Sequence, residues 1–263
     1  MSKETPAKTA TETPSPAIRA IENTLELEGA SILRALERMK RDKAPWTKAL
    51  SILNETLNRK GKIIVTGIGK SGKIAQKISA TLSSTGSHAA YLHPTEALHG
   101  DLGFVREEDC VLALSYTGNT EELLKIMPSL HARKTPVICI CGKKESQLAK
   151  ESAVFLDGSV EQEACPNNLA PTTSTTLALA IGDALAVGLM TLRGFDSSAF
   201  ALNHPGGSLG RKLTLKVRDV LHPVTDLALV SPDQPMSDVI VASTQKKLGA
   251  AIVIDEKIGR AHV

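Results

Sequence analysis

Aromatic residues are scarce in this sequence of 263 residues: one Trp, two Tyr and four Phe, 3% of the chain. So few rings argue against a stacking platform for single-stranded nucleic acid. Charge of one sign is not in excess either, since 31 Lys and Arg face 28 Asp and Glu for a net +3. This excludes a broad basic field for nucleic acid but allows a local anion site. Cysteine is limited to Cys110, Cys139, Cys141 and Cys165, with no C-x-x-C pair. These read as small core residues in a reducing, cytoplasmic compartment. The amino terminus lacks the apolar core of a secretory signal. Only residues 177–192 form a long apolar run, and Asp183 sits inside it. A run shorter than roughly 20 residues, with a carboxylate within it, reads as a buried helix and not a membrane span.

What is present is an ordinary globular balance, 42% hydrophobic and 22% charged. Residues 1–16 are rich in Thr, Ser, Pro, Lys and Glu and are expected to be a disordered tail. From Ile18, the apolar positions Ile21, Leu25, Ile32, Leu36 and Met39 mark one amphipathic helix. A second helix is expected over Trp46–Leu57, stopped near Gly61. These helices, within 17–60, are expected to pack on the domain that follows.

From residue 61 the pattern alternates. Strand-like runs at 63–65, 88–92, 111–114, 137–140 and 154–156 are separated by helical segments, including 73–82 and 121–130. Each link is too long for a hairpin, so the expected fold class is α/β, a five-stranded parallel sheet flanked by helices in three layers. Ligands of such sheets bind beyond the carboxyl ends of the strands. The expected domain runs over 61–213, and 214–263 reads as a fragment of a second module, too short for a core of its own.

Two loops carry chemistry. The first, GIGKSG at 67–72, satisfies G-x-G-x-x-G. A dinucleotide site would also need a carboxylate near the end of strand two, and that strand ends Leu92-His93-Pro94 instead. A Walker loop would need Gly at position 64, which is Ile. What remains is a tight turn with backbone donors, Ser71 and Lys70, suited to a small anion or a merely structural turn. The second loop, SYTGNTEE at 115–122, crowds Ser115, Thr117, Gly118, Asn119 and Thr120 before a helix. Hydroxyls and free helix N–H groups together form a phosphate cradle that needs no metal. Glu121 and Glu122 in the first helical turn complement the helix dipole. Two such loops without a nucleotide signature point to a small phosphorylated metabolite.

The 115–122 string resembles the phosphate loop of sugar-isomerase (SIS) domains, with Thr117 in place of the usual second Ser. Four further stretches resemble arabinose-5-phosphate isomerases in order and spacing: TGIGKSG (66–72), HPTEALHGDLG (93–103), EACPNNLAPTTSTT (163–176) and NHPGGSLGRKL (203–213). Residues 217–220 resemble the opening of the CBS module that follows the SIS domain in these enzymes. The chain ends inside the first CBS repeat of that pattern, which reads as a fragment or an altered terminus. The resemblance implies interconversion of ribulose 5-phosphate and arabinose 5-phosphate, the latter serving lipopolysaccharide synthesis in the family. It places catalytic roles on Lys70, Glu122, Glu163 and His204. Substrate contacts fall on Gly86, Ser87, His99 and the loop Ser115, Thr117, Gly118, Asn119 and Thr120. It implies no required cofactor, an inhibitory zinc at His93, and a homo-oligomer, expected as a tetramer, in which a neighbour's histidine completes the site. Neither nucleic acid nor membrane is an expected partner.

Moving a carbonyl between C1 and C2 passes a proton through a cis-enediol, work suited to a carboxylate whose pKa burial has raised. Glu163 is the expected base. His204 suits ring opening, Lys70 suits the enediolate charge, and Glu122 suits either orienting Lys70 or relaying a proton. A non-catalytic sugar-phosphate regulator and an isomerase of another sugar phosphate are the alternatives.

Overall fold

Short runs dominated by apolar and β-branched residues build the sheet. A computed structural model describes residues 15–254. Strands β1 (Ile63–Thr66), β2 (Ala89–Leu92), β3 (Cys110–Ser115), β4 (Val137–Cys141) and β5 (Val154–Asp157) are all parallel, in the order β2-β1-β3-β4-β5. Alternate residues serve opposite faces. Ile63, Val65, Leu112 and Leu114 point into one buried cluster, and Ile64, Val111, Ala113 and Cys139 into the other. This is the expected three-layer α/β arrangement.

Helices α1 (Pro16–Arg41), α2 (Ala44–Asn58), α3 (Gly69–Ser84) and α7 (Thr173–Leu192) supply the first face, where Leu53, Ile78, Leu177, Ile181 and Leu185 are buried. The short α4 (Pro94–Leu98), α5 (Glu121–Ala132) and α6 (Gln147–Glu151) supply the second. On α5 the residues Leu123, Ile126, Met127 and Leu130 follow three- and four-residue steps and are all buried, each worth roughly 1.5–3 kcal/mol.

Several expectations shift. The disordered tail over 1–16 lies, for 1–14, outside the described residues, as does the chain end from 255. Ser15 and Pro16 instead open α1: the Ser15 hydroxyl accepts from the Ile18 amide at 3.3 Å, and Pro16 takes the first helical position. The apolar stripe of α1 is largely uncovered, with Ile21 57% and Leu25 67% exposed. Only Ser31 and Ala35 of α1 are buried. The α2 stop uses a left-handed Lys60 (φ 63°). Gly61 has another cause, since a Cβ there would lie 2.1 Å from the Glu108 carbonyl oxygen.

After Asp196, α8 (Ser197–Asn203) closes the first compact unit, which ends at His204. The second unit holds α9 (Ser208–Thr214), α10 (Val217–Val220), α11 (Met236–Lys246) and a two-stranded parallel sheet of β6 (Leu229–Val230) and β7 (Ile252–Val253).

Candidate active site

The strand order reverses direction between β1 and β3. Successive connections leave β1 toward β2 on one side and return to β3 on the other. In open parallel sheets the ligand crevice lies at such a switch point, outside the carboxyl ends of the strands. The loops leaving β1 and β3 at this point are residues 67–72 and 115–120.

A cavity of about 290 Å³ lies there. It is lined by Ser71 and Ile74 of α3, by Ser115, Tyr116 and Thr117 after β3, and by Glu163, Ser174 and Thr175 beside α7. Glu163 is the only carboxylate among its lining residues. The cavity thus joins both glycine-bearing loops to the segment after β5.

The β1 loop turns tightly into α3, which starts at Gly69 (φ 61°), so the last four residues of GIGKSG are helical and the helix begins four residues before the expected Lys73. A Cβ on Gly72 would come within 2.7 Å of the Gly67 carbonyl oxygen, so close packing of the turn requires glycine there. Tyr91 donates to that same carbonyl at 2.9 Å. Lys70 is exposed in the first turn of α3 and does not line the cavity of this chain.

The β3 loop is tied together by its own hydrogen bonds. The buried Ser115 hydroxyl accepts from the Gly118 amide at 3.0 Å and shares a hydrogen bond with the Thr120 hydroxyl at 2.7 Å. Gly118 has φ 66°, and a Cβ on it would lie 2.0 Å from the Ser146 hydroxyl oxygen. Thr117 Oγ1 accepts from the Asn119 amide at 3.3 Å, and the Asn119 side-chain oxygen accepts from Gln147 N at 3.1 Å. Asn119 is therefore committed to α6. Neither α3 nor α5 has a side-chain cap at its amino end, which leaves donors for an anion. Glu122 lies in the first turn of α5 and Glu121 pairs with Lys125 at 2.6 Å. Neither glutamate lines the cavity.

Glu163 closes the amino end of α7. Its Oε2 accepts from the Thr172 amide at 2.8 Å, the Ser174 amide at 3.2 Å and the Thr172 hydroxyl at 3.2 Å, and its Oε1 from the Ser174 hydroxyl. Burial pushes the carboxyl pKa up. The hydrogen bonds from the Ser174 hydroxyl, the Thr172 and Ser174 amides and the Thr172 hydroxyl outweigh it, so the net direction is down from the ordinary value. This corrects the expectation of a carboxyl raised by burial. Burial also raises the Tyr116 phenol, with the Glu163 charge as a further cause. Sequence reasoning missed Thr172 and Ser174 as site residues.

The remaining candidates stand elsewhere. Gly86 and Ser87 precede β2, at the foot of the sheet, whereas the cavity is at the opposite end. α7 carries the chain from Glu163 toward that foot over 20 residues, about 30 Å at 1.5 Å per residue. There a Cβ on Gly86 would meet the Phe195 ring at 2.4 Å, and the Asn203 side chain donates to the Ser84 carbonyl at 3.3 Å. His204 follows directly, its Nδ1 2.9 Å from the Phe200 carbonyl and its ring stacked on Phe200 at 3.9 Å. So Gly86, Ser87 and His204 share one end of the unit, and within one chain they do not reach the 115–120 loop. His99 is exposed at the end of α4. His93 caps α4, its Nδ1 accepting from the Thr95 amide at 3.2 Å. Among the described residues no group of three or more His, Cys, Asp or Glu converges.

A model of the SIS domain matches residues 56–188. The chain belongs to the SIS-domain family. It is 44% identical over 239 residues to the arabinose 5-phosphate isomerase KdsD of Pseudomonas aeruginosa, a match covering 91% of this chain and 72% of that protein. The corresponding Yersinia pestis isomerase is 48% identical over 198 residues, covering 75% of this chain but only 60% of the relative. The chain thus spans about three fifths of several curated relatives it matches. Among solved structures, an Escherichia coli CFT073 protein in complex with arabinose 5-phosphate superposes with a TM-score of 0.65 at 35% identity, covering 72% of this chain and 97% of that one.

Proposed function

We infer that this SIS domain is an aldose–ketose isomerase that interconverts D-ribulose 5-phosphate and D-arabinose 5-phosphate. The observation that carries the reading is that Glu163, the single lining carboxylate, and Ser115 and Thr117 of the β3 loop line one cavity of about 290 Å³. Relatives that bear the name arabinose 5-phosphate isomerase at 44% and 48% identity support it.

The loop after β3 and the uncapped end of α5 hold the sugar phosphate. The other end of the substrate then reaches Glu163, which takes a proton from one carbon and returns it to the next through a cis-enediol. Lys70 balances the enediolate charge, Glu122 orients Lys70 or relays a proton, and His99 holds a sugar hydroxyl. No metal is needed for a carboxylate to move this proton.

The separation of Glu163 from His204, Gly86 and Ser87 supports a shared site in a homo-oligomer. One chain supplies the cavity, and its neighbour supplies the foot of its own sheet. The uncovered apolar stripe of α1 and the exposed Val187 and Leu192 of α7 supply surface for such a neighbour. α7 is the one described helix long and apolar enough to cross a membrane. We read it as a core helix, because Leu177, Ile181 and Leu185 join the buried cluster and Asp183 pairs with Lys77 of α3 at 2.5 Å.

Incubation of the purified chain with ribulose 5-phosphate, followed by NMR of the sugars, tests the reading. Appearance of arabinose 5-phosphate, with solvent deuterium at C2 of the aldose, is expected; no aldose, or a different one, overturns it.

A further inference from the structure

The two oxygens of Glu163 are not equivalent. Oε2 is held by two backbone amides and by the Thr172 hydroxyl. Amides can only donate, and the Thr172 hydroxyl accepts from the Ala164 amide at 2.9 Å and has the Ala170 carbonyl as a second acceptor at 3.4 Å. A proton arriving at Oε2 would face two amides that cannot accept it. Oε1 has one partner, the Ser174 hydroxyl, which is buried and lines the same cavity. A hydroxyl both donates and accepts and rotates between the two.

We propose that Oε1 is the atom of Glu163 that carries the sugar proton, and that Ser174 is the positioning residue that fixes Oε1 and turns from donor to acceptor as the proton arrives. The proposal rests on the isomerase reading and names the working parts of that site. When the substrate C–H bond breaks, its electron pair forms the C1–C2 double bond, the carbonyl π pair moves onto its oxygen as an enediolate, and the carbon's proton forms Oε1–H. The return step moves the proton from Oε1 to the neighbouring carbon, while the proton of the substrate's adjacent hydroxyl passes to the former carbonyl oxygen and leaves the new carbonyl behind. Ser174 keeps its own hydrogen throughout, and no oxidant or reductant enters.

The other titratable groups facing the cavity are Tyr116, after β3, and Cys141, at the end of β4. α3 and α7 contribute only Ser71, Ile74, Ser174, Thr175 and Ala178 to its lining. The Thr175 hydroxyl is turned to the Pro171 and Thr172 carbonyls, and among the described residues the Ser174 hydroxyl is the group hydrogen-bonded to Oε1.

The test compares wild type, Ser174→Ala, Ser174→Thr and Thr172→Val in the full chain. Two readouts are followed against pH: solvent-deuterium exchange into ribulose 5-phosphate, and the carbon-13 carboxyl signal of Glu163 by NMR. Ser174→Ala is expected to raise the acid limb of kcat/KM and the Glu163 titration together by about one pH unit, because a hydrogen bond to the ionised form is lost. It should also slow exchange about tenfold to a hundredfold. Ser174→Thr should restore both, and Thr172→Val should slow exchange less than Ser174→Ala does, because it removes a hydrogen bond to Oε2 and not to Oε1. If the Ala variant does not fold, Ser174→Cys, a weaker donor of similar size, should show the same direction of shift. Active enzyme in which Ser174→Ala leaves the titration and the acid limb unmoved overturns the proposal. So does Thr172→Val matching the loss of Ser174→Ala. Wild-type protein that leaves ribulose 5-phosphate unchanged overturns the isomerase reading instead, and the NMR titration still decides the pairing with Ser174.

Discussion

The Glu163 carboxylate accepts the Thr172 amide at 2.8 Å, so α7 begins on an anion supplied by its own chain. α3 and α5 begin with no side-chain cap. Of three helix ends near one cavity, two have donors to offer a ligand and one is already satisfied. This division lets a single crevice hold a phosphate in one place and a carboxylate in another.

The cap has a pH consequence. Hydrogen bonding lowers the Glu163 pKa below its ordinary value in the folded chain. A depressed folded pKa contributes stability above the unfolded value, and that contribution disappears as pH falls through the folded one. Wild type should therefore be more stable than Glu163→Gln at neutral pH, with the difference shrinking to nothing in acid. Urea unfolding at a series of pH values checks this, and a difference that grows on acidification contradicts the capping role.

The distance along α7 makes a second expectation. If Glu163 and His204 serve one site from two chains, Glu163→Gln and His204→Asn proteins are each inactive alone. Co-refolded, they should regain activity, reaching about a quarter of wild type by random pairing into two-fold assemblies. Each mixed pair then holds one intact site and one doubly altered site. A mixture as inactive as its components would mean that the two residues do not meet across subunits.

Much of this layout could be read before any coordinates. The runs at 63–65, 111–114 and 137–140 fall inside observed strands because a strand buried on both faces is apolar throughout. The foot position of Gly86 was also within reach, since a residue just before a parallel strand lies opposite the loops that follow the strands. The cap on α7 was not. Glu163 sits nine residues before Thr172, outside the three-residue spacing of a local capping box. The early start of α3 was hidden because Gly69 enters with positive φ, a freedom the glycine motif allows but does not specify.

Gly118 tests the phosphate loop. Its φ of 66° and the 2.0 Å approach to Ser146 leave no room for a methyl group. Gly118→Ala should destabilise the fold by about 1–3 kcal/mol through backbone strain alone. The larger effect should be on substrate affinity, because Ser115 holds the loop through the Gly118 amide. A raised KM for the sugar phosphate, measured under conditions where circular dichroism shows a folded chain, is the expected outcome.

At the foot of the sheet Lys62 and Asp109 form a buried ion pair at 2.6 Å, with side chains 9% and 1% exposed. Asp109 also accepts from the Lys62 and Arg106 amides at 2.8 Å each, and the Lys62 ammonium lies 4.2 Å from the centre of the Phe104 ring. These contacts tie the starts of β1 and β3 together below the switch point. Removing one partner leaves a buried charge and two amides uncompensated, a loss of about 3–5 kcal/mol. Asp109→Ala should therefore lower the urea midpoint far more than Glu121→Ala, which breaks only an exposed pair on α5. Lys62→Met with Asp109→Leu removes both charges and should recover part of the loss, while the two orphaned amides keep it short of wild type. Equal midpoints for Asp109→Ala and wild type would show that the pair does not hold the two strands.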